Sequence, residues 1–330
     1  MIRGICQAAA PRIQSAEPSR QPELRYRLDA AGGAPHILAE SFTLLRPVRF
    51  ADCDPAGIVY FPRFLEMAND LTEEWFERGL GMPFDKFHLE LGHGIPVVNT
   101  KVDFLKACRL GERLELELSI ETLGRSSVVL RLRGHVAGED RLKLRHKLAV
   151  VSLAARRAVA IPEDLRSRME RFLVPGAPAT PDPATHDGKV PANAFRSRQL
   201  VRFAHCDPAG VVFYPRFFEM FSTALEDWFQ TGLACPFGGE FMMERKLRIP
   251  GLAITAEFLR SCRMGEFLDV DLWVTRMGRS SIDLALACSV AGEPRVRASW
   301  AVCIIDFASF KSTPIPADLR ERMQAYQQPS

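Results

Sequence analysis

The apolar positions of this chain change period once within each half, and the whole pattern is then repeated. From Phe61 the large apolar residues recur at helical spacing, at Phe61, Phe64, Leu65, Ala68, Leu71, Trp75 and Phe76, until Gly79 ends the run. They occupy several sides of the predicted helix, so other structure must wrap it. Pro62 suits its first turn, where a missing N–H costs nothing. Downstream the period shortens towards two. Runs of strand character cover 96–107, 112–123, 126–137 and 142–153. Glu112–Ser119 alternates apart from Arg113, as a strand with one wet face does. The preceding Phe42–Phe50 is extended in character. Ile161–Arg166 begins a short amphipathic helix. One long helix followed by consecutive strands predicts an α+β domain with an antiparallel sheet.

The pattern restarts near Phe195. Phe195–Phe203 matches the first strand, and Pro215–Gly232 matches the long helix. Arg248–Pro250 matches Gly94–Pro96, Gly278–Ser281 matches Gly124–Ser127, and Ile315–Arg320 matches the terminal helix start. The offset is 153 residues early in the repeat and 154 later. The chain therefore reads as a tail (1–40), a first domain (41–173), a linker (174–194) and a second domain (195–330). The linker carries Pro175, Pro178, Pro181, Pro183 and Pro191, which predicts a semi-extended segment able to cross a domain. The tail shows no periodicity and is expected to be disordered. Glu17, Glu23 and Asp29 weaken a transit-peptide reading of it. Two similar domains on one chain predict an internal pseudo-two-fold pair, with further homo-oligomers left open.

Composition narrows the function. Of the 330 residues, 47% are hydrophobic and 25% charged, so each half can bury a core. The net charge of +3 supplies no basic field for nucleic acid. No apolar run approaches a membrane span. The 8 Cys contain no C-x-x-C, and are expected to be reduced, buried apolar residues of a cytoplasmic protein. The 7 His form no repeated metal-ligand pattern, so no metal is expected.

The candidate chemistry lies in the stretch repeated most closely, Val48–Phe64 and Val201–Phe217. Asp54 and Asp207 each open an Asp-Pro-Ala-Gly turn just ahead of a helix start. Asp at this position can simply set the turn. Its context also suits acyl transfer. The first N–H groups of a helix lack intrahelical partners, and the helix dipole favours negative charge there. A carboxylate beside such donors can act on a carbonyl while they stabilise the oxyanion.

DCDPAGIVYFPRF resembles the signature of the 4-hydroxybenzoyl-CoA thioesterase family of hotdog-fold proteins, and the resemblance covers both repeats. It implies two tandem hotdog domains, each an antiparallel sheet wrapped around a long central helix, paired through a continuous sheet with sites between the units. It implies that Asp54 and Asp207 are the catalytic carboxylates, as nucleophile or general base. The backbone N–H groups of Phe61 and Tyr214 would polarise the thioester carbonyl. The substrate would be a small-molecule acyl-CoA, possessing coenzyme A as part of itself, and no separate cofactor would be needed. The two copies differ at Asp52 and His205, a position that could modulate the two sites differently.

Gly124-Arg125-Ser126-Ser127 and its copy at Gly278 read equally as hairpin turns or as clamps for coenzyme A phosphates, through Arg125, Ser126, Arg279 and Ser280. Arg131, Arg133, Lys143 or Arg145 could assist. Glu66 and Glu219 could supply a helix carboxylate, as in another hotdog branch, but each has an Arg three residues earlier (Arg63, Arg216) and reads better as an ion pair. Cys53 and Cys206 would point away from the Asp side chains on an extended strand, which disfavours them as nucleophiles. The expected activity is hydrolysis of an acyl-CoA, aromatic or aliphatic. The alternatives are a non-catalytic acyl-thioester-binding protein and an acyl-carrier-protein thioesterase. The pocket walls are expected from both halves, including the loops Phe84–His93 and Phe237–Lys246.

Overall fold

The computed structural model describes residues 40–176, 181–183 and 185–328. The expected disordered tail lies outside the described residues, apart from Glu40. In the first half, β1 (Phe42–Pro47) leads through the Asp54 turn into α1 (Phe61–Glu74). Then follow β2 (Val97–Phe104), β3 (Arg113–Leu123), β4 (Ser127–Val136), β5 (Glu139–Ala149) and the short α2 (Glu163–Met169). The second half repeats this order as β6 (Phe195–Leu200), α3 (Tyr214–Asp227), β7 (Gly251–Phe258), β8 (Phe267–Met277), β9 (Ser281–Val290), β10 (Glu293–Cys303) and α4 (Ala317–Gln324).

All ten strands form one sheet, in the order β1-β3-β4-β5-β2-β7-β10-β9-β8-β6. Under the repeat equivalence this order reads the same from either end. The two halves join where β2 and β7 pair antiparallel, from Asp103↔Ala253 to Asn99↔Glu257. Two hotdog domains thus share a continuous antiparallel sheet, and α1 packs against α3 on one face of it.

The helices are held by the apolar faces read from the sequence. Leu65, Met67, Leu71, Trp75 and Phe76 of the first half are fully buried, as are Phe218, Phe221, Trp228 and Phe229 of the second. Each such side chain stabilises the fold by about 1.5–3 kcal/mol relative to exposure. Gly79 and Gly232 close the helical runs because a Cβ there would lie 2.6 Å from the Trp75 or Trp228 ring. Three boundaries of the downstream strand runs differ from the expectation by three residues or more: β2 ends at Phe104 rather than 107, and β5 covers Glu139–Ala149 rather than 142–153. Ala137 (φ 51°) and Gly138 (φ 80°) form a tight hairpin turn, and Ala is not a residue that announces one.

The described part of the linker crosses the sheet face opposite the helices. Asn99 Nδ2 donates to the Pro183 carbonyl at 3.2 Å, and His186 Nε2 lies 2.9 Å from the Leu286 carbonyl.

Candidate active site

Each Asp turn is stitched into place by its own backbone. The Asp54 N–H donates to the Ile58 carbonyl and the Gly57 N–H returns to the Asp54 carbonyl, both at 2.9 Å. Gly57 has φ +76°, which a side chain would resist. Asp54 Oδ1 accepts the Ala56 N–H at 2.8 Å, and Asp207 Oδ1 accepts that of Ala209 at 2.9 Å. The chain then bridges Cys53 to Val59 and Ile58 to Arg109 before entering α1.

No side chain caps α1 or α3, and no acidic residue sits in either first turn. Pro62 has no N–H, and the Arg63 N–H is bonded to the Tyr60 carbonyl at 2.9 Å. The Phe61 N–H, first in the helix, has no intrahelical acceptor. The same holds at Tyr214, where Pro215 follows and the Arg216 N–H is bonded to the Phe213 carbonyl. Each half thus places a half-buried carboxylate one short loop ahead of an electropositive helix end.

Burial pushes the Asp54 carboxyl above the ordinary carboxylate range; the Ala56 and Ile58 N–H groups and the guanidinium of Arg248 pull against it. Burial likewise raises Asp207, opposed by the Val211 and Ala209 N–H groups and then by His88. Arg248 and His88 each come from the other half of the molecule. Neither residue was singled out from the sequence. The available signal was the aligned pair Arg248/Gly94, one of the few places where closely matched segments differ sharply in chemistry. His88 falls in a loop expected to wall the pocket.

Asp52 and His205 do the same structural work. Asp52 Oδ2 accepts the Arg49 N–H at 2.7 Å, and His205 Nδ1 accepts the Arg202 N–H at 3.1 Å. Asp52 is buried and also lies 3.5 Å from the Arg46 guanidinium. Cys53 and Cys206 turn their thiols towards the Arg49 and Arg202 carbonyls, and burial raises the Cys53 thiol further.

Glu66 and Glu219 are held in an ion-pair cluster with Arg63 and Arg216, as their spacing suggested. Arg125 and Arg279 are exposed in their hairpin turns, and neither has an ion pair among the described residues. The Gly278–Ser281 turn adjoins Cys303 and Val302, whose neighbours run through Gly251 to the Asp103 end of β2. Arg279 therefore lies at the sheet end that serves Asp54 of the opposite half. Arg131 and Arg145 are paired with Glu121, and Arg133 and Lys143 with Asp140.

A cleft of about 450 Å³ opens beside Arg109, lined also by Lys106, Glu112 and Arg141, and by Phe310 from the other half. The Arg109 guanidinium lies 5.3 Å above the Phe310 ring. Among the described residues no group of three or more His, Cys, Asp or Glu side chains is placed to hold a metal. No helix among them is long and apolar enough to cross a membrane.

Two hotdog units in one sheet, each with a carboxylate ahead of an uncapped helix, define a double-hotdog protein of the thioesterase type. The chain belongs to the thioesterase-like superfamily, whose family model matches residues 48–169 and 201–323. It is 36% identical over 81 residues to a 1,4-dihydroxy-2-naphthoyl-CoA hydrolase of Synechococcus elongatus, covering 24% of this chain and 59% of that relative. It is 30% identical over 95 residues to the 4-hydroxybenzoyl-CoA thioesterase of a Pseudomonas species, covering 28% of this chain and 67% of the relative. Over 80% of its length the fold is similar to that of the 12:0-ACP thioesterase from Umbellularia californica, with a TM-score of 0.65, 14% identity and 94% of that chain covered.

Proposed function

We propose that the protein is an acyl-CoA thioesterase that hydrolyses the thioester to a carboxylic acid and free coenzyme A. The observation that carries this reading is the repeated pairing of a half-buried carboxylate with a free helix-start N–H, at Asp54/Phe61 and Asp207/Tyr214. The thioester carbonyl would accept from the Phe61 or Tyr214 N–H. The carboxylate would either attack the carbonyl carbon, expelling the coenzyme A thiolate and leaving an anhydride for water to cleave, or take a proton from the attacking water. In both routes the oxyanion forms against fixed donors, each worth roughly 2.7–4 kcal/mol in the transition state. Water is the only co-reactant. The unpaired cations Arg125 and Arg279, with Ser126 and Ser280, would meet the phosphates of coenzyme A. The cytoplasm is the proposed setting, on the reading of the cysteines as reduced.

The names of the two relatives direct the first substrate panel to hydroxylated aromatic acyl-CoA thioesters, with aliphatic ones beside them. Replacing both Asp54 and Asp207 by Asn should cut thiol release about 10²–10⁴-fold. Wild-type rates in the double variant would overturn the assignment. Acyl-CoA binding without any turnover would instead favour a non-catalytic carrier. Faster turnover of acyl groups on a carrier protein would make that protein the partner.

A further inference from the structure

Arg248 makes the two candidate sites chemically unlike. It sits in a short strand paired with Ile305–Asp306, three residues before Gly251. Gly251 lies against the Phe104 ring, at 3.6 Å from where a Cβ would stand, and Phe104 packs edge-on to Phe61 at the start of α1. This brings Arg248 to the Asp54 site across the junction of the halves. Its Nη1 is used up on the Met242 and Leu247 carbonyls, both at 2.8 Å. The guanidinium stacks 4.0 Å above the Phe307 ring. Its Nε is buried and has no acceptor among the described residues. A buried donor left unpaired is costly, more so on a charged group.

Among the described residues the Asp207 site has no arginine in the matching place. Gly94 stands where Arg248 does, and Leu153 where Phe307 does. A Cβ at Gly94 would already lie 3.0 Å from Leu153 Cδ2 and 3.1 Å from Val151 Cγ2, so an apolar wall fills the space. His88 lies near Asp207, and its Nδ1 is engaged with the Phe84 carbonyl at 2.8 Å.

We propose that Arg248 is the specificity-determining residue of the Asp54 site and selects acyl groups that carry an anionic oxygen, whereas the Asp207 site takes neutral acyl groups. The inference rests on the thioesterase reading above. A carboxylate that must stay ionised to react repels an anionic acyl group; a fixed guanidinium beside it offsets that repulsion. At the Asp207 site the same substrate would meet Leu153 and Val151 in the place of the guanidinium.

The test isolates each site and reads a ratio. Asp207→Asn leaves the Asp54 site alone, and Asp54→Asn leaves the Asp207 site alone. Each is assayed on matched pairs differing by one carboxylate: 4-carboxybenzoyl-CoA against 4-methylbenzoyl-CoA, and glutaryl-CoA against pentanoyl-CoA. The ratio of kcat/KM, anionic over neutral, should be at least tenfold higher in Asp207→Asn than in Asp54→Asn. Adding Arg248→Met to Asp207→Asn should lower that ratio roughly tenfold to a hundredfold, the scale of one charged hydrogen bond, with Arg248→Lys intermediate. Loss of Arg248 acting only on Asp54 or on folding would depress both substrates alike and leave the ratio unchanged, and that result overturns the proposal. Equal ratios at the two sites overturn it as well. Activity that persists when both Asp are replaced would instead defeat the thioesterase mechanism itself.

Discussion

Arg216 Nη1 lies 2.7 Å from Glu66 Oε1, although the two residues are 150 positions apart. The contact joins α3 to α1, and it is reciprocated: Arg63 approaches Glu219 at 3.7 Å, while each Arg also bonds the Glu on its own helix at 2.7 Å. Two positive and two negative groups therefore alternate around the axis relating the halves. They are only partly exposed, so solvent screens them incompletely. Glu66→Gln should lower the unfolding free energy by about 1–2 kcal/mol. A double-mutant cycle with Arg216→Met should return a coupling of about 1 kcal/mol, measured by urea denaturation. Thioester turnover should survive Glu66→Gln. An abolished turnover in a folded Glu66→Gln protein would move the catalytic carboxylate from Asp54 to the helix.

The raised carboxyl groups make a prediction of opposite sign. Asp54 and Asp207 have folded-state pKa values above their unfolded ones, chiefly through burial. Their charged forms therefore cost stability, a cost absent below the unfolded pKa and complete above the folded one. Asn keeps an oxygen for the Ala56 or Ala209 N–H and carries no charge. The Asp54→Asn/Asp207→Asn protein should melt at least as high as wild type at pH 7, and its advantage should shrink as the pH falls through the carboxylate range. The acid limb of wild-type activity should likewise sit above the usual carboxylate range. A double variant with a lower Tm at pH 7, or an acid limb at or below that range, would contradict burial as the dominant influence.

What could be read from the sequence was what short stretches determine. The Asp-Pro-Ala-Gly turn, Pro62 at the helix start and the apolar series from Phe61 to Phe76 each act within a few residues, and the second copy exposed the same signals again. The ten-stranded sheet followed from the resemblance and from the duplication. The partners of Asp54 and Asp207 were out of reach, because the β2–β7 pairing brings Arg248 and His88 to them from the opposite half. Position 52/205 was legible as a difference but not in its meaning. Asp and His look like unlike chemistry, whereas in the fold each offers one acceptor to one backbone N–H. A break after residue 137 was legible, but not its tightness, because in the Ala137–Gly138 turn only the Gly announces it.

That shared acceptor role at Asp52 and His205 is open to direct measurement. Removing either side chain orphans a backbone N–H, at Arg49 or Arg202, for about 0.5–1.5 kcal/mol. Asp52 also faces Arg46, whose other carboxylate partner is Asp70. Asp52→Ala should therefore lower the Tm more than His205→Ala does, and Asp52→Asn should recover most of the loss. Thermal melts of the three variants decide it. Equal losses in Asp52→Ala and Asp52→Asn would show that the charge, not the acceptor, matters.

His146 on β5 is fully buried, and burial alone lowers its pKa to about 3. Its Nε2 lies 3.3 Å from the Tyr214 hydroxyl, which itself donates to the Leu65 carbonyl at 2.8 Å. In the other half the equivalent pair is Trp300 against Phe61, with ring centroids 5.0 Å apart and no titratable group. The neutral imidazole is compatible with the core; the imidazolium is not. Because the folded pKa lies below the unfolded one, the unfolded chain takes up the proton first. Stability is unaffected above the unfolded value near 6.5 and is lost progressively as the pH falls towards about 3. The full shift corresponds to roughly 4–5 kcal/mol, since each unit is worth about 1.4 kcal/mol. His146→Leu keeps the apolar volume, and Tyr214 retains its bond to Leu65. Its urea midpoint relative to wild type should therefore improve steadily between pH 6.5 and pH 4. A difference that stays constant across that range would show that His146 does not drive acid unfolding.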